Sequence, residues 1–257
     1  MEPVGFAVTA KYARPAFLVL GLLCCISPLI SGPPFWTDDP EPLLRRNWEL
    51  LLASQHFITA NLATGMLPQI EANYGATESL MLHLIVPASY AKPSGLPFRY
   101  GAGDIELGFI YRFVKEARSG IDIGTFPHIE LPAGDSRRGL GSGHVQVFLP
   151  LWLLKRSGPW TTYGGGGYWI NPGPGNRNYW SLGWEVQRDL SKDLTMGAEI
   201  IHSTATAVGG TDRTALNLGA LIAVKKGQII MFSAGRDIHG PNRFFAYAAY
   251  YWTWGPK

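Results

Sequence analysis

The sequence is poor in cysteine and in charge. Of its 257 residues two are cysteine, Cys24 and Cys25, and charged residues make up 16%. Both cysteines fall in a segment that we expect to be removed, so the mature chain must hold together without disulfide bonds. The formal net charge is +3 and no basic run stands out, which argues against a nucleic-acid partner.

The sequence also lacks an apolar run long enough for a comfortable transmembrane helix. The apolar stretch at residues 16–26 follows Lys11 and Arg14 and is broken by Pro28. A basic start, a short apolar core and small residues after it are typical of an export signal. We therefore predict a Sec-type signal peptide over residues 1–31, and a retained N-terminal anchor is the alternative.

Beyond residue 48 the sequence alternates with period two. In "DIELGFIYRF", Leu107 and Phe109 share one face while Glu106 and Arg112 share the other, and "YWSLGWEVQRD" and "LNLGALIAV" repeat the pattern. Segments of about ten residues with this pattern have the length of a strand that crosses a bilayer at a tilt. We count twelve segments, at roughly 48–60, 66–75, 79–90, 104–115, 121–132, 144–155, 160–170, 179–189, 194–206, 214–225, 228–237 and 243–254.

The connections between these segments alternate in kind. "GATE", "EARSG", "RSGP", "SKD" and "KKG" are tight, whereas "AKPSGLPFRYGAG" and "AGDSRRGLGSG" are longer. Outer-membrane barrels have short turns on the periplasmic rim and longer loops outside. We predict an all-β fold, a transmembrane antiparallel up-and-down β-barrel of about 12 strands over residues 48–257. Residues 32–47 precede it as an extended segment, since its prolines forbid a helix.

A secreted β-sandwich or a closed soluble barrel is the alternative fold. With only 16% charged residues, it would leave too many apolar faces for one small core. The strip "FFAYAAYYWTW" at residues 244–254 is apolar or amphipathic on both faces and is interpreted as the closing strand. Aromatic residues near segment ends predict interfacial girdles; they are Trp48, Tyr74, Tyr90, Trp152, Trp160, Tyr168, Tyr179, Trp252 and Trp254.

Five motifs together resemble one known family. They are "GPPFWTDDPEP", "RYGAGDIELGFIYRF", "ELPAGDSRRGLGSG", "WTTYGGGGYWINPGPGNRNYW" and "SAGRDIHGPNRF". As a set, over about residues 32–256, they are similar to the outer-membrane transporters grouped with the meta-pathway phenol-degradation proteins. The resemblance implies an outer-membrane barrel loosely related to importers of hydrophobic compounds, and it implies no particular ligand or site.

Polar residues at inward positions are the candidates for a solute path. The luminal lining candidates are Glu106, Arg112, His128, Glu130, Glu185 and Arg236. The first four come from consecutive strands, so alternation should bring them onto one patch that carries both signs of charge. The alternative is an interior network that only fills the barrel, because twelve strands lie between a packed eight-stranded barrel and a wide sixteen-stranded one.

Two further stretches allow two interpretations each. "YGGGGYW" at residues 163–169 is either an indentation for a solute or for the N-terminal segment, or a bend at a barrel corner, which we favour. Asp38, Asp39 and Glu41 either dock on Arg112 or Arg236 as a small plug, or belong to a solvated leader.

Catalysis has weaker support in the sequence. In "GSGHVQ", Ser142 and His144 are two residues apart with Asp135 or Asp104 nearby, which are the residue types that a lipid esterase uses. We predict no enzyme, no catalytic residue, no metal ligand and no cofactor, with a lipid esterase and a structural barrel as alternatives.

The sequence therefore predicts a passive channel in the outer membrane of a Gram-negative-type envelope. Its solutes are expected to be small and aromatic or weakly polar. The expected partners are outer-membrane lipid, the barrel assembly machinery and the solute.

Overall fold

The computed structural model describes residues 33–256. The predicted signal peptide, residues 1–31, lies outside this range. Within it, no helix is long and apolar enough to cross a membrane. The two short helices that interrupt the strands are α1 (Glu116–Ser119) and a 3-10 turn (Ser136–Arg138).

The described chain is built from β-strands, and every pairing between them is antiparallel. They are β1 (Trp48–Ile58), β2 (Leu62–Gly75), β3 (Leu80–Pro93), β4 (Arg99–Ala102), β5 (Ile105–Val114), β6 (Asp122–Thr125), β7 (His128–Leu131), β8 (Gln146–Ser157), β9 (Trp160–Ile170), β10 (Tyr179–Asp189), β11 (Leu194–Ser203), β12 (Arg213–Lys225), β13 (Gln228–His239) and β14 (Phe244–Trp254).

The sheet closes on itself because β1 pairs with both β2 and β14. Trp48 lies opposite Trp254 at one rim, and Ile58 lies opposite Phe244 at the other. β4 and β5 both pair with β3 and form one crossing, and β6 and β7 both bridge β5 and β8 and form another. The fourteen strands therefore make a twelve-stranded antiparallel barrel, which confirms the predicted fold class.

Two details of the strands differ from the sequence interpretation. The crossing predicted at residues 121–132 is interrupted between β6 and β7 by Pro127, which has no N–H to donate to a ladder. The loop predicted from "AKPSGLPFRYGAG" is shorter than expected, because β3 runs to Pro93 and β4 begins at Arg99.

The outer surface of the barrel is an apolar band. In β14, Phe244, Tyr250 and Trp252 are exposed, whereas Phe245 and Tyr251 are buried inside. β5, β10 and β12 alternate in the same way, with exposed leucine and aromatic residues on the outer face. Apolar outside and polar inside is the pattern of a barrel surrounded by lipid.

Aromatic rings gather on the outer surface near the rims. Trp48 contacts Tyr74 with ring centroids 4.6 Å apart, and Trp252 contacts Trp254 at 4.8 Å. The girdle prediction was wrong for Trp152, which is buried inside the barrel because it falls on the inward face of β8. It was also wrong for Tyr179, whose ring stacks on inward Trp169.

The segment before β1 lies inside the barrel. Phe35 belongs to an interior cluster with Leu51 and Met231. The Trp36 ring packs 5.1 Å from that of Phe57 and 5.8 Å from that of Phe245. Of the two interpretations left open by the sequence, the structure therefore has the plug and not the solvated leader.

Candidate functional site

The N-terminal segment is fixed to the wall by the Glu199 carboxylate in β11. One oxygen accepts from the Trp36 backbone N–H at 2.9 Å, and the other accepts from the Thr37 N–H at 2.9 Å and its hydroxyl at 2.7 Å. Asn217 Nδ2 donates to the same carboxylate at 2.7 Å. Ser233 Oγ in β13 donates to the Pro34 carbonyl at 2.6 Å. Hydrogen bonds to an ionised acceptor are among the strongest in proteins, so this end of the segment is held firmly.

Three inward glycines on adjacent strands make room for the segment; we call Gly183, Gly197 and Gly219 the glycine cradle. A Cβ atom at Gly183 would stand 2.2 Å from Thr37 Oγ1. Cβ atoms at Gly197 and Gly219 would stand 2.6 Å and 2.9 Å from the Phe35 ring. Real Cβ atoms do not approach so closely, so these positions accept the segment because they carry no side chain.

The sequence interpretation looked for this indentation at "YGGGGYW" and missed the cradle. Gly164 and Gly166 instead face outward and leave room for the side chains of Trp184 and Leu182 in β10. The available signal was a glycine that repeats at an inward position in "SLGWE", "TMGAE" and "LNLGA".

The acidic end of the segment is held near the rim that carries the short turns. Glu41 bonds to Arg156 and its carboxylate lies 3.5 Å from Arg112. Arg156 also reaches Glu116 at 3.2 Å and Asp122 at 3.3 Å. Arg112 thus contacts an acid of the N-terminal segment, one of the two arrangements that the sequence suggested.

A cavity of about 1280 Å³ remains beside the segment. Its lining includes Ser142 at the long-loop rim and Lys226 at the short-turn rim, so one cavity connects the two ends of the barrel. Asp104 shapes the first of these ends, because its carboxylate accepts from the backbone N–H groups of Gly134 and Ser142 and so fixes the loop between β7 and β8. The cavity is larger than the pockets that usually hold a drug-sized ligand.

Carboxylates dominate the lining of the cavity. The lining acids are Asp38, Asp39, Glu41, Glu49, Glu71, Asp104, Glu106 and Glu130, and the lining bases are Arg156 and Lys226 together with His83 and His128. The sequence predicted a lining that mixes both signs of charge, and the lining contains both, with acids in excess. Arg112 and Arg156 are bound to acids at the short-turn rim.

A hydrogen-bonded chain, which we call the acidic network, joins four strands along this wall. Asn73 Nδ2 donates to Glu49 Oε1 at 2.8 Å and to Glu71 Oε1 at 2.9 Å. The His83 ring lies 2.7 Å from Asn73 Oδ1 through Nδ1 and 3.0 Å from Glu106 Oε1 through Nε2. All of these contacts to Glu71 and Glu106 use Oε1, which leaves the second oxygen of each for another partner.

Three of the six predicted lining residues come together in the cavity. Glu106 and Glu130 are directly opposite on β5 and β7, and His128 Nδ1 lies 3.9 Å from Glu106 Oε1. Arg112 faces inward as well, but it is six residues further along β5, about 20 Å away. The predicted patch of four residues therefore contains three.

The other two candidates lie elsewhere. Glu185 is fully buried on the opposite wall, beside Gly197 and the N-terminal segment. Arg236 lies on the outer face close to the long-loop rim, where its Nε donates to Asn242 at 2.9 Å, so its luminal placement was wrong. Near the rim an outward arginine meets water and headgroups, and a polar residue there need not face the lumen.

The residues suggested for an esterase do not form a catalytic pair of nucleophile and general base. The Ser142 hydroxyl donates to the His144 backbone carbonyl at 2.8 Å. The acid next to them, Asp104, accepts from backbone N–H groups instead of orienting an imidazole. Their contacts serve to fold the loop over the cavity.

The fold is similar to solved outer-membrane channels. An outer membrane channel from Pseudomonas putida F1 matches 84% of this chain and 98% of its own, with a TM-score of 0.71 and 17% identity. The KdgM and NanC porins each match 79% of this chain and 98% of theirs with a TM-score of 0.54, at 9% and 6% identity. No family model and no curated protein matches the chain. At these identities the likeness concerns the fold, which is that of an outer-membrane barrel.

Proposed function

We propose that the protein is a passive outer-membrane channel for small solutes. The observation that carries the proposal is the cavity of about 1280 Å³, which has lining residues at both rims of a closed barrel. The N-terminal segment narrows the lumen, so the path is narrower than the whole barrel. The similarity in fold to an outer membrane channel supports the same function.

The finer parts of the proposal concern family, place and partners. The grouping with the meta-pathway phenol-degradation proteins has the support of the motifs, and it favours small aromatic or weakly polar solutes. An apolar outer band with aromatic rings near the rims supports lipid as a partner and the barrel assembly machinery as the route of insertion. Export by the signal peptide at residues 1–31 belongs to the same proposal.

Single-channel recording and liposome swelling with purified protein would test the channel function. A panel of sugars, aromatic compounds and fatty acids should include solutes that enter at measurable rates. Swelling with none of them, together with silent bilayers, would favour a structural barrel. Hydrolysis of a lipid ester by the purified protein would favour the esterase alternative. Recovery of the protein from the soluble periplasm instead of the outer membrane would contradict the proposed location, and with it the channel function.

A further inference from the structure

We infer that the cavity selects small organic cations, that is, protonated amines with an aromatic or alkyl body. This inference rests on the proposed channel function and names its substrate class. It begins from the charge of the cavity wall between the two rims. There the acidic network presents Glu49, Glu71 and Glu106, and Glu130 stands opposite Glu106.

The basic residues of the lining are fewer than its carboxyl groups. Arg156 is engaged by Glu41, Glu116 and Asp122 at the short-turn rim. His83 lies between Glu71 and Glu106 and would neutralise one carboxylate at most if it were protonated. The wall therefore carries the four carboxyl groups of Glu49, Glu71, Glu106 and Glu130 against the two imidazole rings of His83 and His128.

The N-terminal segment adds a further carboxyl group. Asp38 lines the cavity, and burial together with the nearby Glu106 and Asp39 raises its pKa. The acids thus approach the cavity from the wall and from the plug. A solute that passes between them meets carboxylates on two sides, an arrangement that concentrates cations in a channel.

Two buried polar groups give this wall hydrogen-bonding capacity in addition to its acids. Gln69 is 3% exposed and Tyr247 is 5% exposed, and both line the cavity. The Gln69 carboxamide oxygen and the Tyr247 hydroxyl have no hydrogen-bond partner among the residues that the structure describes. Buried polar atoms are normally paired, and an unpaired acceptor such as Gln69 Oε1 fits a ligand that donates, as an ammonium group does.

Aromatic rings beside the acids account for the organic body of the ligand. Phe126 and Trp169 line the cavity on either side of His128, with ring centroids 5.1 Å and 5.2 Å from its own. Tyr247 and Tyr251 line it on the β14 side. Aromatic faces attract organic cations and also pack against their apolar part, so a bare metal ion uses less of this site.

The decisive measurement is the reversal potential of single channels of the full mature protein in a tenfold KCl gradient. We expect a preference for potassium over chloride of about tenfold at low salt, falling as the ionic strength rises. Phenethylammonium should then block the potassium current at lower concentration than phenylacetate, which has a similar body and the opposite charge. Conductance without cation preference, or a stronger block by phenylacetate, would overturn the inference and leave the channel function intact.

Variants locate the effect in the cavity. Glu106→Gln with Glu130→Gln should lower the cation preference several-fold, whereas Glu78→Gln with Asp193→Asn should leave it unchanged. The second pair removes two carboxylates that are 80% and 55% exposed on the short turns. Gln69→Leu should weaken the block by phenethylammonium and keep the potassium preference, because it removes a hydrogen-bond acceptor and no charge.

Two further measurements test the inference if the double variant does not fold or if the protein does not conduct. Glu130→Gln alone serves if the double variant fails, since Glu130 makes no hydrogen bond or ion pair within residues 33–256. It should still lower the cation preference. Silent channels would count against the proposed function, and saturation-transfer NMR with phenethylammonium would then decide: binding that Glu130→Gln weakens supports the cation site, and no binding overturns it.

Discussion

The wall formed by β10, β11 and β12 and the wall formed by β2, β3 and β5 both present carboxylates to the lumen, but with different results. On the first wall Glu199 receives the N-terminal segment, which lies in the glycine cradle. On the second wall Asn73 donates to Glu71 and the His83 ring contacts Glu106, and both carboxylates line the cavity. The side chains around the acids cause this difference. Glycines beside the acids of the first wall leave room for the N-terminal segment, whereas larger side chains on the second wall keep the segment at a distance, so a cavity remains there.

Filling the glycine cradle should abolish this difference between the walls, and it is the largest effect that we expect. Gly183→Val with Gly219→Val places methyl groups where Thr37 and Phe35 now lie. The segment should leave the wall, and single-channel conductance should rise several-fold because the plug no longer narrows the lumen. Conductance in planar bilayers measures the change.

A glycine outside the cradle provides the matched control. At Gly101 a Cβ atom would stand 3.2 Å from the Leu140 side chain, which is flexible, and away from the N-terminal segment. Gly101→Val should leave conductance near that of the unmodified protein. A correctly folded double cradle variant with unchanged conductance would show that the segment does not limit the path.

Substitutions on the outer surface should have the same effect on both walls. Leu107 on β5 and Leu218 on β12 are 41% and 67% exposed on the lipid-facing side. Leu107→Arg and Leu218→Arg should each lower the free energy of unfolding by about 2–4 kcal/mol, since arginine is costly in the membrane interior. Urea titration, followed by the gel-mobility difference between folded and unfolded barrels, measures the loss.

Inward neighbours of these leucines supply the comparison. Glu106→Gln and Asn217→Ser should each cost less, about 1.5 kcal/mol, the lower end for the loss of one hydrogen bond to a charged group. Equal damage from the inward and outward substitutions would mean that the inside and the outside have been exchanged.

The difference between the walls also marks how far the sequence could lead. Alternation predicted the outward face of β10, from Trp180 to Val186, because lipid imposes one requirement on every outer position. The lumen imposes no single requirement. Each cradle glycine is unremarkable in its own strand, and its role appears only when three strands stand side by side with Phe35 and Thr37 against them.

The misplaced Arg236 has a related cause. The alternation through Phe232 and Ala234 puts residue 236 outside, whereas the polarity of arginine alone predicts the lumen. Inside at that height lies Asp237, whose carboxylate is 2.5 Å from Arg213 Nε. A polar residue indicates the lumen only where the outer surface faces the hydrocarbon of the membrane. Near a rim, the alternation of inward and outward positions along the strand is the better predictor.

The smallest expected effect separates two acids on the same wall. Glu185 and Glu199 are directly opposite on β10 and β11 and both are buried. Glu199 accepts from Trp36, Thr37 and Asn217, whereas neither oxygen of Glu185 has a hydrogen-bond partner among residues 33–256. The two acids are chemically alike, so their substitutions isolate the contribution of the bonds.

Glu199→Gln should weaken docking of the segment by about 2 kcal/mol, because its amide group turns a donor toward the N–H groups of Trp36 or Thr37. Glu185→Gln should leave docking unchanged, because neither oxygen of Glu185 has a hydrogen-bond partner among residues 33–256. Thr37→Cys is a suitable reporter in both backgrounds, since Thr37 is 0% exposed when docked. Thiol labelling should accelerate about tenfold or more with Glu199→Gln. Faster labelling with Glu185→Gln instead would show that the unpaired acid, and not the bonded one, holds the segment in place.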